Sequence, residues 1–591
     1  MNAPAVKHDP TPTSNGSTDL SDDARNQRPS PPKRQTPAWA PLRSPLFRAL
    51  WLASLASNIG SWMHEVGASW LMTSLTKSEP MNALVTAATT FPMFLLALPA
   101  GALADIVDRR KLVIGTQAWA ALVAATMAVL TLLNFTGPWI LLFFTLLMSL
   151  GGAMAGPAWQ ALLPEMVKKR QVPAAMSLGG AAWNLSRIIG PLLGGAIIGI
   201  AANVLPNRAA APGVVFAVNA VSFLAVVFVF VRWQRAPREV DLPPEHILGA
   251  MRTGWRYTRH SPQVRAILVR TAGLMLCIAA QFSLLPLYAR EVLHVNASGY
   301  ASLIGFFGAA GVFGNLLYPR LRERFSPSQL LFSSALCSAF NLLILAVAPS
   351  AVPAPMALWV VRGSMLFGGL AWPVAIQTCN VNIVRSVPDW VRSRAAGMFT
   401  LVFMGSSTVG SIIWGFVANR AAIADQPGSG IPMAFCGAAI GLLVGAVALR
   451  RFVVVDPGNA DLSPSRHRPS PTVAFEPEPE RGPVLVLVEH DIALDDTEAF
   501  VAAMQLVRRL RLRDGALRWN LFQDTDVPTR WMETVLAESW NEYLRQHARG
   551  TQADRAVEAR VRAFHRGPHD PRVTHFIASS ARVKPEEPDE E

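Results

Sequence analysis

The chain has 591 residues, of which 51% are hydrophobic and only 16% charged, with a mean hydropathy of +0.29. So low a charge content, against roughly 25% in soluble domains, excludes a wholly soluble globular protein. The net charge of +13 does not point to nucleic acid, because Lys and Arg sit mainly in short loops between apolar runs, where retention of positive charge on the cytoplasmic side places them.

Residues 1–45 are rich in Pro, Ser, Thr and Asn and carry no apolar run. They read as a disordered tail, not as a cleaved signal peptide. Twelve apolar stretches of spanning length follow, predicted at 46–73, 82–104, 112–134, 138–162, 174–202, 213–232, 265–289, 299–318, 329–348, 355–381, 393–419 and 431–450. A hydrocarbon core of roughly 30 Å needs about 20 apolar residues in helical form, and only helices or closed barrels satisfy the backbone there. The expected fold is an all-α membrane bundle of twelve transmembrane helices in two six-helix halves, 46–232 and 265–452, with a cytoplasmic central loop at 233–264. Duplicated halves suggest a substrate path where they meet. Basic clusters such as Arg109, Arg110 and Lys111 or Arg320, Arg322 and Arg324 mark one set of loops, while the opposite set offers only Lys77, Arg208, Arg290 and Arg420. That asymmetry puts both termini in the cytoplasm of a multi-pass plasma-membrane protein. The central segment HILGAMRTGWRYTRH (246–260) reads as a basic amphipathic helix on the inner membrane face. The four cysteines fall inside spans without metal-ligand spacing and read as small core residues.

After the second span comes GALADIVDRRKL (101–112). Gly101 allows close helix approach. Asp105 can pair with an arginine or cap the next helix; with Arg109 and Arg110 it makes either a conformational latch or a plain basic loop. The fifth span carries SRIIGPLLGGAIIG (186–199), where Gly190, Pro191, Gly194 and Gly195 make a kinkable face of little bulk.

Ionisable groups inside spans cost about 2.5–3.5 kcal/mol on insertion scales and need a reason. Glu65 is the candidate for gaining and losing a proton, against an interfacial role. Arg187, mid-span and one turn before Gly190-Pro191, can attract an anionic substrate or pair with a carboxylate; Arg362 lies in the outer half of its span. Asn58, Gln281 and Gln377 are among the polar residues at depth that either line a cavity or bond between helices, and Trp62, Trp70, Trp183, Phe282, Trp372 and Trp414 either wall it or pack the core. Without a Walker loop the energy source is expected to be an ion gradient, a proton gradient by default, with no cofactor.

The segment 453–483 is Pro-, Ser- and charge-rich and reads as a linker. In 484–580 the periodicity gives a strand at 484–490, a helix at 497–515, strands at 516–524 and 530–539, a helix at 540–565 broken near Gly550, and a strand at 572–579. The order β-α-β-β-α-β is a ferredoxin-like α+β unit. An acidic tail, 581–591, ends the chain. His547 and His565 are the chemical candidates of this unit, but nothing pairs them with a nucleophile or metal cluster, so assembly or regulation is favoured over catalysis.

These segments resemble a known family. Gly101, Leu103, Ala104, Asp105, Arg109 and Arg110 match the major facilitator signature Gly-x-Leu-Ala-Asp-Arg-x-Gly-Arg-Arg, with Ile106 for the first arginine and Asp108 for the second glycine. Gly190-Pro191 and Gly194-Gly195 are similar to the Gly-Pro-x-x-Gly-Gly motif of its drug–proton antiporters. Residues 47–72 and 156–167 resemble the enterobactin-exporter-like group, the transmembrane secretion effectors, and the tail resembles antibiotic-biosynthesis-monooxygenase domains. The resemblance covers about 43–452 and implies a transporter, not an enzyme, that exports siderophore-like or drug-like molecules by alternating access with proton antiport. It also implies dimerisation through the tail. The alternatives are an importer with a sensor tail and a membrane-anchored monooxygenase-like protein. The partners expected are a small-molecule substrate and membrane lipid.

Overall fold

The computed structural model describes residues 39–97, 99, 107–162, 166–168, 171–233, 247–423, 426, 428–456, 461–465, 471, 473, 475 and 477–578. Six long helices form the first half of the bundle: α1 (Pro45–Leu75), α2 (Glu79–Leu96), α3 (Arg109–Leu132), α4 (Pro138–Leu162), α5 (Val172–Val204) and α6 (Ala211–Arg232). The amphipathic helix α7 (Ile247–His260) leads into the second six: α8 (Pro262–Leu287), α9 (Ala297–Arg324), α10 (Pro327–Ala351), α11 (Ala354–Arg385), α12 (Arg392–Ala421) and α13 (Ile431–Ala448). Ten of the described helices are long and apolar enough to cross a membrane; α1 and α2 are not among those ten. Both are diluted by polar residues, Ser, Asn, His and Glu in α1 and Thr and Asn in α2.

Helix starts are set by local chemistry. Ser78, Asp108, Ser261, Asn296 and Ser326 each accept a backbone N–H at the N-terminus of the helix that follows, satisfying donors that the helix itself leaves orphaned. At Ser326 the cap is reciprocal, with Gln329 returning the bond. Each half has its own apolar core, including Phe216 against Leu71 and Met72 in the first, and Tyr288, Phe435 and Leu345 in the second.

The halves meet along two seams, α2 with α12 and α5 with α9. On the first, a Cβ on Gly415 would stand 2.5 Å from the Ala83 Cβ, and the Thr90 and Thr408 hydroxyls lie 2.7 Å apart.

The tail folds as β1 (Val484–Asp491), α14 (Thr497–Asp514), β2 (Arg518–Gln523), β3 (Arg530–Ala537), α15 (Trp540–Arg549), α16 (Gln552–Arg562) and β4 (Arg572–Ile577). Its four strands form one antiparallel sheet in the order β2-β3-β1-β4, and the second helical segment breaks at Gly550, where the sequence places the break. Phe500, Met504, Val507, Trp519 and Trp531 pack the core between helices and sheet. The linker expectation changes on contact with this unit. Ser465 N–H donates to the Gly550 carbonyl (3.0 Å) and Trp540 N–H to the Arg481 carbonyl (2.9 Å), so described parts of 453–483 are laid against it.

Helix α7 turns part of its polar face to protein, while Arg252 and Arg259 stay exposed. It is seated between α12 and the tail, with Arg256 donating to the Gly515 carbonyl and the Arg513 guanidinium 5.6 Å above the Tyr257 ring. Tyr257 meets Trp390 edge-on, and Arg549 stacks 4.7 Å from the same Trp390 ring. Residues 454–456 strap the junction to the second half: Ser328 bonds Val454, and Asp456 pairs with Arg385 at 3.0 Å and Arg322 at 3.6 Å.

Candidate functional site: the cluster between the halves

Local packing decides what faces the middle of the bundle. A Cβ on Gly190 would stand 2.5 Å from the Trp62 Cβ, and one on Gly194 3.1 Å from the Met63 Cα, so these two glycines let α5 press against α1. A Cβ on Gly195 would collide with Ala301, so the next residue of the same run lets α9 of the other half approach. Pro191 lies inside the helix between these contacts. The glycine run thus serves a seam within one half and a seam between halves through two faces one residue apart.

This packing brings Arg187 into a box of aromatic rings. Its guanidinium carbon is 5.9 Å from the Trp62 ring centroid, 5.8 Å from Phe307 and 5.7 Å from Trp372. Trp62 belongs to the first half; Phe307 and Trp372 belong to the second. Phe282 meets Trp372 at 4.9 Å and Trp183 meets Trp62 at 5.9 Å, extending the wall. Each cation–ring contact is worth about 0.5–2 kcal/mol according to desolvation. Among the described residues, no group hydrogen-bonds or ion-pairs with this guanidinium. Glu65, less than one turn beyond Trp62 on α1, is the carboxylate within its electrostatic reach and is itself exposed. Asn58 lies half-buried one turn before Trp62, so Asn58, Trp62 and Glu65 share one helix face. Gln377 donates to Asn315 (3.4 Å) and Asn315 to Asn184 (3.4 Å), a polar chain that crosses between halves.

Other sequence candidates are not brought to this cluster. Gln281 is buried inside the second half, accepting from Asn341 at 2.8 Å and lying 3.7 Å from the Met365 sulfur. Arg362 donates to Ser302 (3.1 Å) and stacks on Trp359. It lies ten residues, about 15 Å, along α11 from Trp372. Trp414 donates to the Leu276 carbonyl and packs structurally. Phe307 was not legible as a ring of the box, because only its helix partner places it there.

At the end of the bundle that holds the α1–α2 and α8–α9 turns, the halves are latched by groups that composition alone does not single out. Glu79, 4% exposed, accepts the Gly428 N–H at 3.0 Å across the α2–α12 seam. Gly428 adopts φ +78°, a conformation that favours glycine. Arg290 donates to Thr73 (3.2 Å) and lies 5.6 Å from the Trp70 ring, which stacks on Tyr300.

Of the signature loop, Gly101 and Asp105 lie outside the described residues. The cap on α3 comes from Asp108, whose carboxylate accepts the Lys111 N–H at 3.0 Å. Arg110 donates to the Phe230 and Val231 carbonyls, both at 2.9 Å, closing the last turn of α6, and its neighbour Arg109 opens α3.

A family model described as transmembrane secretion effector matches residues 36–584. The multidrug efflux pump Tap of Mycolicibacterium fortuitum is 24% identical over 388 residues, covering 64% of this chain and 91% of that protein. A staphyloferrin A transporter of Staphylococcus aureus is 29% identical over 144 residues; there the match spans 24% of this chain and only 36% of the relative. Among solved structures, a bacterial homolog of the human lysosomal transporter Spinster, inward-facing and occupied, aligns with a TM-score of 0.54 at 16% identity, covering 70% of this chain and 97% of that one. A bacterial homologue of the iron transporter ferroportin, inward-facing, gives 0.54 at 16%, over 69% and 98%. At these identities the likeness shows the fold.

Proposed function

The chain belongs to the transmembrane secretion effector family, and from that premise we propose that it is a twelve-span secondary transporter exporting small organic molecules by alternating access. The observation that carries this reading is the Arg187 box. It sits mid-bundle, is built by both halves, and lies below a latched end at Glu79–Gly428. A site shared between halves changes shape when they rock, and cargo drives the exchange only by binding the two states differently. The relatives are named for multidrug efflux and for a siderophore, which supports drug-like or siderophore-like cargo. With the termini cytoplasmic, the latched end faces outward. Coupling is read as proton antiport, with Glu65 exchanging the proton and the Asp105 loop holding one state.

The tail is read as a ferredoxin-like assembly unit. Its helix-free sheet face carries Leu485, Leu487, Leu536 and Phe576 and would seat a second copy. A monomer by light scattering of the solubilised chain would remove that part.

The test of transport uses inside-out vesicles containing the purified chain, with an acid interior, and follows uptake of fluorescent amphipathic compounds. Gradient-dependent uptake with proton efflux, reduced in Glu65→Gln and Asp105→Asn, is expected. Gradient-independent uptake throughout would sink antiport.

A further inference from the structure

The Arg187 box has a chemistry of its own. Arginines inside proteins are ordinarily held by bidentate carboxylate or carbonyl partners. Here the five donors of the guanidinium find none among the described residues, and what surrounds it is three aromatic rings. Ring faces are negative and ring edges positive, so a cluster of faces favours a cation and repels an anion. Glu65, the carboxylate in reach, adds negative potential to the same place. An anionic cargo seated on Arg187 would therefore meet ring faces and a carboxylate together, whereas a cation meets the same groups as attractions. The rings come from both halves, so the box is completed only when α1, α5, α9 and α11 converge.

We infer that Trp62, Phe307 and Trp372 form a cargo site for an amphipathic organic cation, with Arg187 as a tethered occupant that the cargo displaces and Glu65 as the counter-ion. Displacement breaks no hydrogen bond to a described residue, the ring contacts that Arg187 gives up are taken over by the cargo's own charge, and the side chain is long enough to swing away. The aromatic wall continues through Phe282 and Trp183 and offers the apolar body of such a cargo a surface to lie on. The role of the site in transport rests on the exporter reading above; its binding preference does not.

The full chain, purified in detergent, is titrated with tetraphenylphosphonium and with tetraphenylborate, which share size and shape and differ in the sign of charge. The cation is expected to bind and the anion to bind at least ten times more weakly. Arg187→Met, which keeps length and removes the competing charge, should tighten cation binding about tenfold, or ~1.4 kcal/mol. Glu65→Gln and Trp372→Ala should each weaken it by about the same factor. Preference for tetraphenylborate, with loss of that binding in Arg187→Met, overturns the inference in favour of an anion site. Cation binding unchanged in both Arg187→Met and Trp372→Ala overturns it outright. Arg187→Lys, which keeps a cation in the box, must retain wild-type weakness relative to Arg187→Met, separating charge from misfolding. Binding in the box without gradient-driven uptake in vesicles would leave the site standing and remove the export reading; uptake insensitive to Arg187→Met would do the reverse.

Discussion

In the tail unit, Arg511 reaches Glu533 and Glu558, both at 3.1 Å, Arg513 grips Asp554 with two bonds of 3.1 and 2.7 Å, and Arg549 meets Glu542 at 2.5 Å. In the bundle, three rings surround the Arg187 guanidinium, which has no hydrogen-bond partner among the described residues, and Glu65 lies within its electrostatic reach. The first arrangement satisfies buried charge and so stiffens one structure. The second leaves charge available, at a cost that a purely structural helix pair would avoid. The difference separates residues that hold the fold from residues that, on the proposed reading, wait for a ligand.

The comparison breaks most directly at Arg511. Arg511→Ala leaves Glu533, 2% exposed, without its cation and should cost the tail unit about 3–5 kcal/mol. Arg187→Met should change bundle stability by less than about 1 kcal/mol, since the ring contacts it gives up are offset by relief of the cost of burying a cation. Thermal unfolding of the two variants reads both, and equal losses would make Arg187 structural. Acid sharpens the same contrast. Burial alone would raise the Glu533 carboxyl, but Arg511 and the Trp519 indole N–H outweigh it and bring it to about 2. A carboxyl depressed on folding contributes stability that is present above its unfolded value. That contribution is lost as pH falls from about 4.5 toward 2. The tail should therefore unfold over that window, later in acid than Arg511→Ala, by far-ultraviolet circular dichroism at stepped pH.

A smaller effect is expected at the latched end. Glu79→Ala removes a charge-assisted bond to Gly428 and should shift the halves toward opening by about 1.5–3 kcal/mol. Gly195→Val forces a side chain against Ala301 and should do so by about 1–3 kcal/mol. Both are read as faster maleimide labelling of a cysteine placed at Ala297, which is 4% exposed in the closed seam. Unchanged labelling in both would show that neither contact holds that end shut. The smallest change belongs to the tail contact. Tyr257→Ala removes one ring under Arg513 and should loosen docking by about 0.5–2 kcal/mol, seen as faster proteolysis within 457–483.

Much of the scaffold is readable from one dimension. Apolar run length and capping residues place the long helices to within a few residues, since a helix needs only its own chain to satisfy its backbone. The described part of α2 runs to Leu96, and residues 98 and 100–106 of the expected 82–104 span lie outside the described residues. Period-two and helical periodicities likewise place the strands and helices of the tail, because each buries one face. Glu65, Arg187 and Trp62 could be singled out because charge and indole are conspicuous in an apolar run.

Partnership was not readable in this way. Gln281 and Asn341 are 60 residues apart, and nothing local distinguishes Gln281, turned inward to Asn341, from Gln377, bonded in a chain that crosses the halves. Glu79 looks like an ordinary first-turn carboxylate until Gly428, 349 residues away, presents its N–H.

By itself, then, the amino-acid order determined what each segment is: an apolar helix, an amphipathic one, a strand, a cap. Those outcomes depend on backbone hydrogen bonds and burial within reach of a few turns. Only the tertiary structure decided that Arg187 stands among rings from both halves, that Gly195 serves a seam between halves, and that α7 carries the tail. These depend on side chains converging from helices whose mutual rotation and depth are set by packing over the whole bundle.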